Sequence, residues 1–422
     1  MKITDIVYKS LDEIRAMQRF DMKKLPIKPK WPLQLLAWAL AFPETFKVHP
    51  KIYKHNMEGL KGPYIMLCNH NSFLDFQIAT RAVFPRRSSY IVAVDGFINR
   101  ESLMRNVGCI MKRKFLSDIS LVKQIKHSLV NNKNICQIYP EARYSLVGTT
   151  SMLPESLGKL VKLMKHPVAT LISHGHHLRQ PFWNLRKRKI KTKTDLTQII
   201  TKEEIANLSI EEINIRIKKA FQYNDYEYQE KESIRIKESF RAENLHKPLY
   251  MCPHCKTEFK MKSKGNKIWC GHCNEEYEMD ELGKLKNTKG NTIFSHIPDW
   301  FEWQREQVKQ EIIEGKYYVD LEVNIDLLPN GSGFYRIGKG RLIHNKDGYK
   351  LTGENLNISK PVISSFGVHI EYDYFGRGDG ISFSTNEDTF YMYPINQEYS
   401  VTKFHFATEE LYKIEVKNNK KR

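Results

Sequence analysis

From Gly62 to about residue 245, short apolar runs alternate with stretches whose apolar residues recur at helical spacing, and this alternation limits the possible folds more than any other feature of the chain. YIMLC (64–68), SYIVAV (89–94), NICQIY (134–139) and PVATLI (167–172) read as strands buried on both faces. Between them, DISLVKQIKHSLVNNK (118–133) and PESLGKLVKLMKH (154–166) show the 3.6-residue period of amphipathic helices. Strands alternating with helices predict an α/β domain with a mixed, largely parallel sheet flanked by helices.

The chain has 422 residues, more than one hydrophobic core usually serves, so two or three domains are expected, and the sequence divides into four regions. Residues 1–60 form a basic and then apolar region, and residues 61–247 the α/β domain. A cysteine module occupies 248–286. Residues 287–422 supply a linker helix and a small all-β domain, whose short alternating runs are separated by the turn signals NGSG, NKDG and GRGDG. The segment LYKIEV near the end fits either a helix or a strand.

The net charge of +19 calls for an anionic partner: nucleic acid, a phospholipid surface or a phosphorylated substrate. The N-terminus breaks its apolar residues with charges and does not read as a secretory leader. The longest apolar segment, Trp31 to Pro43, falls short of the roughly 20 residues needed to cross a bilayer. Lys23, Lys24, Lys28 and Lys30 beside Trp31, Leu35, Leu36, Trp38 and Leu40 suit a helix lying in an anionic membrane surface. A helix packed on the core is the alternative.

The strand YIMLC delivers the sequence NHNSFLD, Asn69 to Asp75. A histidine at the carboxyl end of a strand stands on the rim where α/β proteins bind ligands. Asp75, in the first turn of the next helix, is placed to reach back to His70, fix its tautomer and leave the other ring nitrogen as a proton acceptor. Ser72 and Asp75 also fit a capping arrangement at that helix start.

With three further segments, this stretch resembles the glycerolipid acyltransferase superfamily, in particular the lysophosphatidic acid acyltransferases. The family's first motif, Asn-His, four residues and Asp, is matched by NHNSFLD. Its proline-glutamate-glycine-threonine-arginine-serine motif is partly matched by YPEARYS: Pro140, Glu141 and Ser145 align, Ala142 replaces glycine, Arg143 comes one residue early, and Tyr144 stands where the arginine belongs. GCIMKRK (108–114) and HPVATLI (166–172) correspond loosely to the other two motifs. The resemblance implies that His70 is the base and Asp75 its partner in acyl transfer from an acyl thioester, acyl-CoA or acyl carrier protein, to a lysophospholipid hydroxyl such as that of 1-acylglycerol 3-phosphate. Arg143, Arg113 and Lys112 or Lys114 are expected to hold the acceptor's phosphate or the donor's phosphopantetheine arm, Glu141 to orient the acceptor or its arginine, Ser145 to belong to the substrate-binding set, and amides after Asn71 to stabilise the oxyanion.

CPHC and CGHC place Cys252, Cys255, Cys270 and Cys273 at the spacing of a zinc ribbon, where four thiolates close the coordination shell of a structural zinc ion. Cys68, Cys109 and Cys136 lie in apolar runs and read as core. SHGHH (173–177) invites a metal, but no carboxylate partner is evident, so a loop contacting ligand or headgroup is expected. The favoured reading is a peripheral enzyme of the cytoplasmic membrane face with no nucleic-acid partner. The rivals are a zinc-ribbon nucleic-acid-binding protein and a non-catalytic lipid-binding scaffold.

Overall fold

The computed structural model describes residues 4–116, 118–395 and 398–419. The side chains of Leu36 and Leu40 lie outside the described set. Nineteen strands among these residues fall into three sheets.

A short N-terminal strand, β1 (Val7–Tyr8), is followed by the seven strands of a mixed sheet: β2 (Lys51–His55), β3 (Ile65–Cys68), β4 (Ser88–Ala93), β5 (Ile110–Lys112), β6 (Ile135–Ile138), β7 (Val168–His174) and β8 (Lys193–Ile200). Their order is β2-β8-β7-β3-β6-β4-β5. Every pair is parallel except β7 with β8. The predicted runs become β3, β4, β6 and β7, and all four residues of β3 and of β6 are buried. Continuous apolar sequence is what a strand covered on both faces requires.

Helices cover the sheet as the periodicity predicts, at Ile119–Val130 and Ser156–Met164. The helix Asp75–Val83 follows β3 and buries Ile78, Ala79, Ala82 and Val83. The helix Trp31–Val48 packs against it, and Trp38 is buried with its ring 4.8 Å from that of Phe84. Trp38 is therefore part of the core, whereas Trp31 and Leu35 are exposed. No helix among the described residues is long and apolar enough to cross a membrane.

Four antiparallel strands, β9 (Met261–Lys264), β10 (Lys267–Cys270), β11 (Glu276–Met279) and β12 (Leu285–Asn287), form the cysteine module's sheet. The helix Ile297–Ile313 leads from it to the third sheet. That sheet holds β13 (Val319–Leu327), β14 (Tyr335–Asn345), β15 (Gly348–Gly353), β16 (Leu356–Pro361), β17 (His369–Glu371), β18 (Gly380–Ser384) and β19 (Thr389–Pro394). The open alternative for LYKIEV resolves to helix, within Val401–Asn419.

The third sheet has an eighth strand: β1 pairs in parallel with Tyr335 and Arg336 of β14. Val7 and Tyr8 thus belong to the C-terminal sheet. One hydrophobic cluster also joins Leu146, Val147 and Phe182 of the α/β domain to Cys252 and Trp300 of the middle region and to Phe404 and Phe406 of the last helix.

Candidate active site

His70 follows β3 directly, at the carboxyl edge and in the middle of the seven-stranded sheet. Its backbone is clamped on both sides. The His70 amide donates to Glu141 Oε1 at 3.2 Å, and its carbonyl accepts from the Ser145 amide at 2.7 Å. Asn69 ties the same turn to the end of β7, donating to the Ser173 carbonyl and accepting from the Ser173 amide at 2.9 and 2.8 Å. The imidazole lies between two tyrosines, with ring centroids 4.4 Å from Tyr139 and 4.0 Å from Tyr144.

His70 Nδ1 donates to Asp75 Oδ2 at 2.9 Å. The same oxygen accepts from the amides of Asn71 at 2.6 Å and Ser72 at 3.0 Å. The other oxygen, Oδ1, accepts from Nδ1 of His176 at 2.5 Å. Burial pushes the Asp75 carboxyl up, but hydrogen bonds from His176 and His70 more than offset it and hold the group at about 2. Asp75 is therefore an anion at neutral pH, which requires both histidines to carry a proton on Nδ1; in the neutral His70 ring this tautomer leaves Nε2 as the acceptor.

Two expectations at this turn change. Ser72 does not cap the helix through its side chain: the N-cap position is Leu74, and the Ser72 hydroxyl accepts from the Leu74 amide. The amides of Asn71, Ser72, Leu74 and Asp75 are all engaged within the turn, so they do not form the expected oxyanion site. The cause is the short reach from Asp75, whose carboxylate folds back over the turn that precedes it.

The contact of His176 with Asp75 is the part of this site that sequence reasoning missed. SHGHH showed the histidines, but their carboxylates come from separate segments and converge on no single ion. His176 meets Asp75, while His174 Nε2 lies 3.4 Å from Asp195 Oδ2 on β8. His177 is buried, and its amide donates to Asp225 at 3.0 Å.

Glu141 accepts from the Ser151 amide at 2.8 Å as well as from His70, with the Tyr223 hydroxyl 3.3 Å away, so it braces the His70 loop. Burial pushes its carboxyl up to about 7. The Ser145 hydroxyl donates to the Thr149 carbonyl at 2.7 Å and is likewise committed to the loop.

The expected phosphate-binding cations are committed too. Lys112 donates to the Leu116 carbonyl at 3.1 Å. Arg113 donates to the carbonyls of Asn386 and Glu387. Lys114 lies 2.8 Å from Nε2 of His369 and 4.0 Å from Asp95. Arg143 pairs with Glu409 of the last helix, which also accepts from Arg305. Sequence alone offers no view of Asn386, Glu387, His369 and Glu409, which lie 255 to 274 positions from the cations they meet.

Sγ of Cys252 lies 3.7 Å from that of Cys273, and Sγ of Cys255 lies 3.8 Å from that of Cys270. All four sulfurs fall within 4.8 Å of one another, a cluster able to hold a metal ion. The Cys270 sulfur also accepts from the His272 amide at 3.4 Å. Cys68, Cys109 and Cys136 are buried in the core as expected.

Residues 46–174 match the family model described as Acyltransferase. That span contains His70, Asp75 and Glu141. Among solved structures it is similar to the 1-acyl-sn-glycerophosphate (LPA) acyltransferase PlsC of Thermotoga maritima. The identity is 12%, with a TM-score of 0.39, covering 47% of this chain and 80% of that one. No curated protein matches the sequence.

Proposed function

We propose that the protein is an O-acyltransferase that moves a fatty acyl group from an acyl thioester to a hydroxyl, with His70 as general base and Asp75 as its anionic partner. The observation that carries this reading is the 2.9 Å contact from His70 Nδ1 to a carboxylate held ionised inside the protein. His70 Nε2 takes the hydroxyl proton as the oxygen attacks the thioester carbonyl, and Asp75 steadies the imidazolium. Collapse of the tetrahedral intermediate breaks the C–S bond, and the proton passes from His70 to the departing thiolate. No protein nucleophile is needed. The donor is acyl-CoA or acyl carrier protein, and the acceptor is a hydroxyl lipid, of which a lysophospholipid such as 1-acylglycerol 3-phosphate is one candidate.

Several parts support this chemistry. The acyltransferase unit spans 61–247, with the cysteine module at 248–286 as a zinc ribbon. A tetrahedron of sulfurs about 2.3 Å from zinc has edges of about 3.8 Å, which the cysteine spacing of 3.7 and 3.8 Å fits. The role of that ion is structural. Exposed Lys23, Lys24, Lys28 and Lys30 next to exposed Trp31 and Leu35 suit a protein docked on an anionic membrane surface.

The test is release of free thiol from purified protein given acyl-CoA and a hydroxyl lipid. His70→Ala should abolish it while leaving circular dichroism and the unfolding midpoint near those of the parent. Near-normal turnover by a folded His70→Ala variant refutes the assignment.

A further inference from the structure

The acyl-transfer reading leaves the acceptor's chemistry open, and the walls around His70 narrow it. A phosphomonoester beside the reacting hydroxyl is a buried dianion, and a site holds one only by offering cations that are not already neutralised. Here the C-terminal region reaches into the rim and occupies the cations at the motif positions. The strand β17 brings His369 to Lys114, and Asp95 supplies the negative charge, itself accepting from the Tyr374 hydroxyl at 3.1 Å. The turn before β19 brings two carbonyls to Arg113, and the last helix brings Glu409 to Arg143.

These contacts are built into the core. Residues Val401 to Leu411 of the last helix are almost all buried, and Phe404 and Phe406 share one cluster with Leu146, Val147 and Phe182 of the acyltransferase domain. Glu409 is 1% exposed and held from two sides by Arg143 and Arg305. Turning Arg143 toward a ligand would leave a buried carboxylate short of a partner, a costly change.

What faces His70 instead is aromatic. Tyr144, standing where the family motif has arginine, stacks on the His70 ring at 4.0 Å. Phe73, 53% exposed, and Phe182 lie 5.3 and 5.5 Å from Tyr144, and Tyr372 of the C-terminal region lies 5.6 Å from Phe182. Such a wall receives an uncharged carbon face and gives a phosphate nothing to bind. The donor is not excluded by it, because the diphosphate of a CoA thioester stands a full pantetheine arm away from the reacting carbonyl.

We propose that the acceptor is an uncharged hydroxyl compound, with its reacting end seated on Tyr144, Phe73 and Phe182, and that the C-terminal region sets this preference by pairing Arg143 with Glu409 and by engaging Arg113 through two backbone carbonyls and Lys114 through His369. The inference rests on the acyl-transfer reading above.

The experiment gives full-length protein one acyl-CoA donor and three acceptors in parallel: 1-monooleoylglycerol, an alkyl glucoside and 1-oleoylglycerol 3-phosphate. Thiol release and the acylated products are measured, with His70→Ala as the blank. A kcat/KM at least tenfold higher for either neutral acceptor than for the phosphate supports the proposal, and the better of the two identifies a glycerol or a sugar hydroxyl. An equal or higher value for the phosphate acceptor overturns it while leaving acyl transfer in place. His70-dependent transfer to none of the three overturns the acyl-transfer reading and the proposal together.

Discussion

Replacing Asp75 by asparagine removes one charge and little volume, and the structure specifies what should follow. The wild-type carboxyl sits at about 2 against an ordinary 3.8. A folded-state value below the unfolded one means that Asp75 stabilises the protein above pH 4, and that this contribution fades as pH falls toward 2. At about 1.4 kcal/mol per pKa unit, the contribution is roughly 2 kcal/mol. An asparagine oxygen at the Oδ2 position can still accept from His70, Asn71 and Ser72. Its NH2 group then faces His176 Nδ1, which must give up its proton to accept. That forces the proton onto His176 Nε2, a buried atom with no hydrogen-bond partner in the structure. An unsatisfied buried donor costs about 1–3 kcal/mol, so Asp75→Asn should lose roughly 3–5 kcal/mol of stability at pH 7. Urea unfolding from pH 2.5 to 7 measures this directly: the variant should be less stable at neutral pH, and its stability should fall less than the parent's between pH 4 and 2.5. An acid limb identical to the parent's would refute the assignment of an ionised, doubly hydrogen-bonded Asp75. Turnover should fall by about 10³–10⁴, because the neutral amide no longer stabilises the imidazolium that forms on His70.

Other outcomes follow from neighbouring groups. Glu141, raised by burial to about 7 from 4.5, holds its proton more tightly folded than unfolded, so its contribution falls as pH rises from 4.5 to 7. Glu141→Gln should flatten that slope by about 3 kcal/mol, read from urea midpoints at pH 5 and 7.5. Cys270→Ser should lose one equivalent of zinc by elemental analysis and destabilise the protein by several kcal/mol, whereas chelation should not stop turnover before unfolding begins. Replacing Lys23, Lys24, Lys28 and Lys30 should weaken binding to anionic vesicles, by about 1 kcal/mol for each lysine at the surface, and reduce its salt dependence in a flotation assay.

The strands that position His70 were legible because a strand buried on both faces writes a continuous apolar run, as in β3 and β6. The strands β2 and β8 carry Lys51, Lys54, Lys193 and Asp195 and gave no such run. One lies at the sheet edge and the other beside it, where charge is tolerated. The His70–Asp75 pair was legible because only four residues separate its members. His176 was not tied to it, since its carboxylate lies 101 positions earlier. The phosphate-binding roles read from Arg113, Lys114 and Arg143 rested on local sequence. Their actual partners, Glu387, His369 and Glu409, arrive by tertiary packing from the other end of the chain.

The parallel pairing of Val7 and Tyr8 with Tyr335 and Arg336 also bears on the order of events during synthesis. Those two residues leave the ribosome more than three hundred positions ahead of their partners. At roughly 5–20 residues per second, the seam cannot close until about a quarter of a minute to a minute has passed. The seven-stranded sheet is complete well before then, while Arg143 on its rim still lacks Glu409. A nascent chain stopped short of Glu409 would therefore present Arg143 to its surroundings, so emergence of the last helix, rather than folding of the sheet, is the moment at which this side of the rim takes its final character.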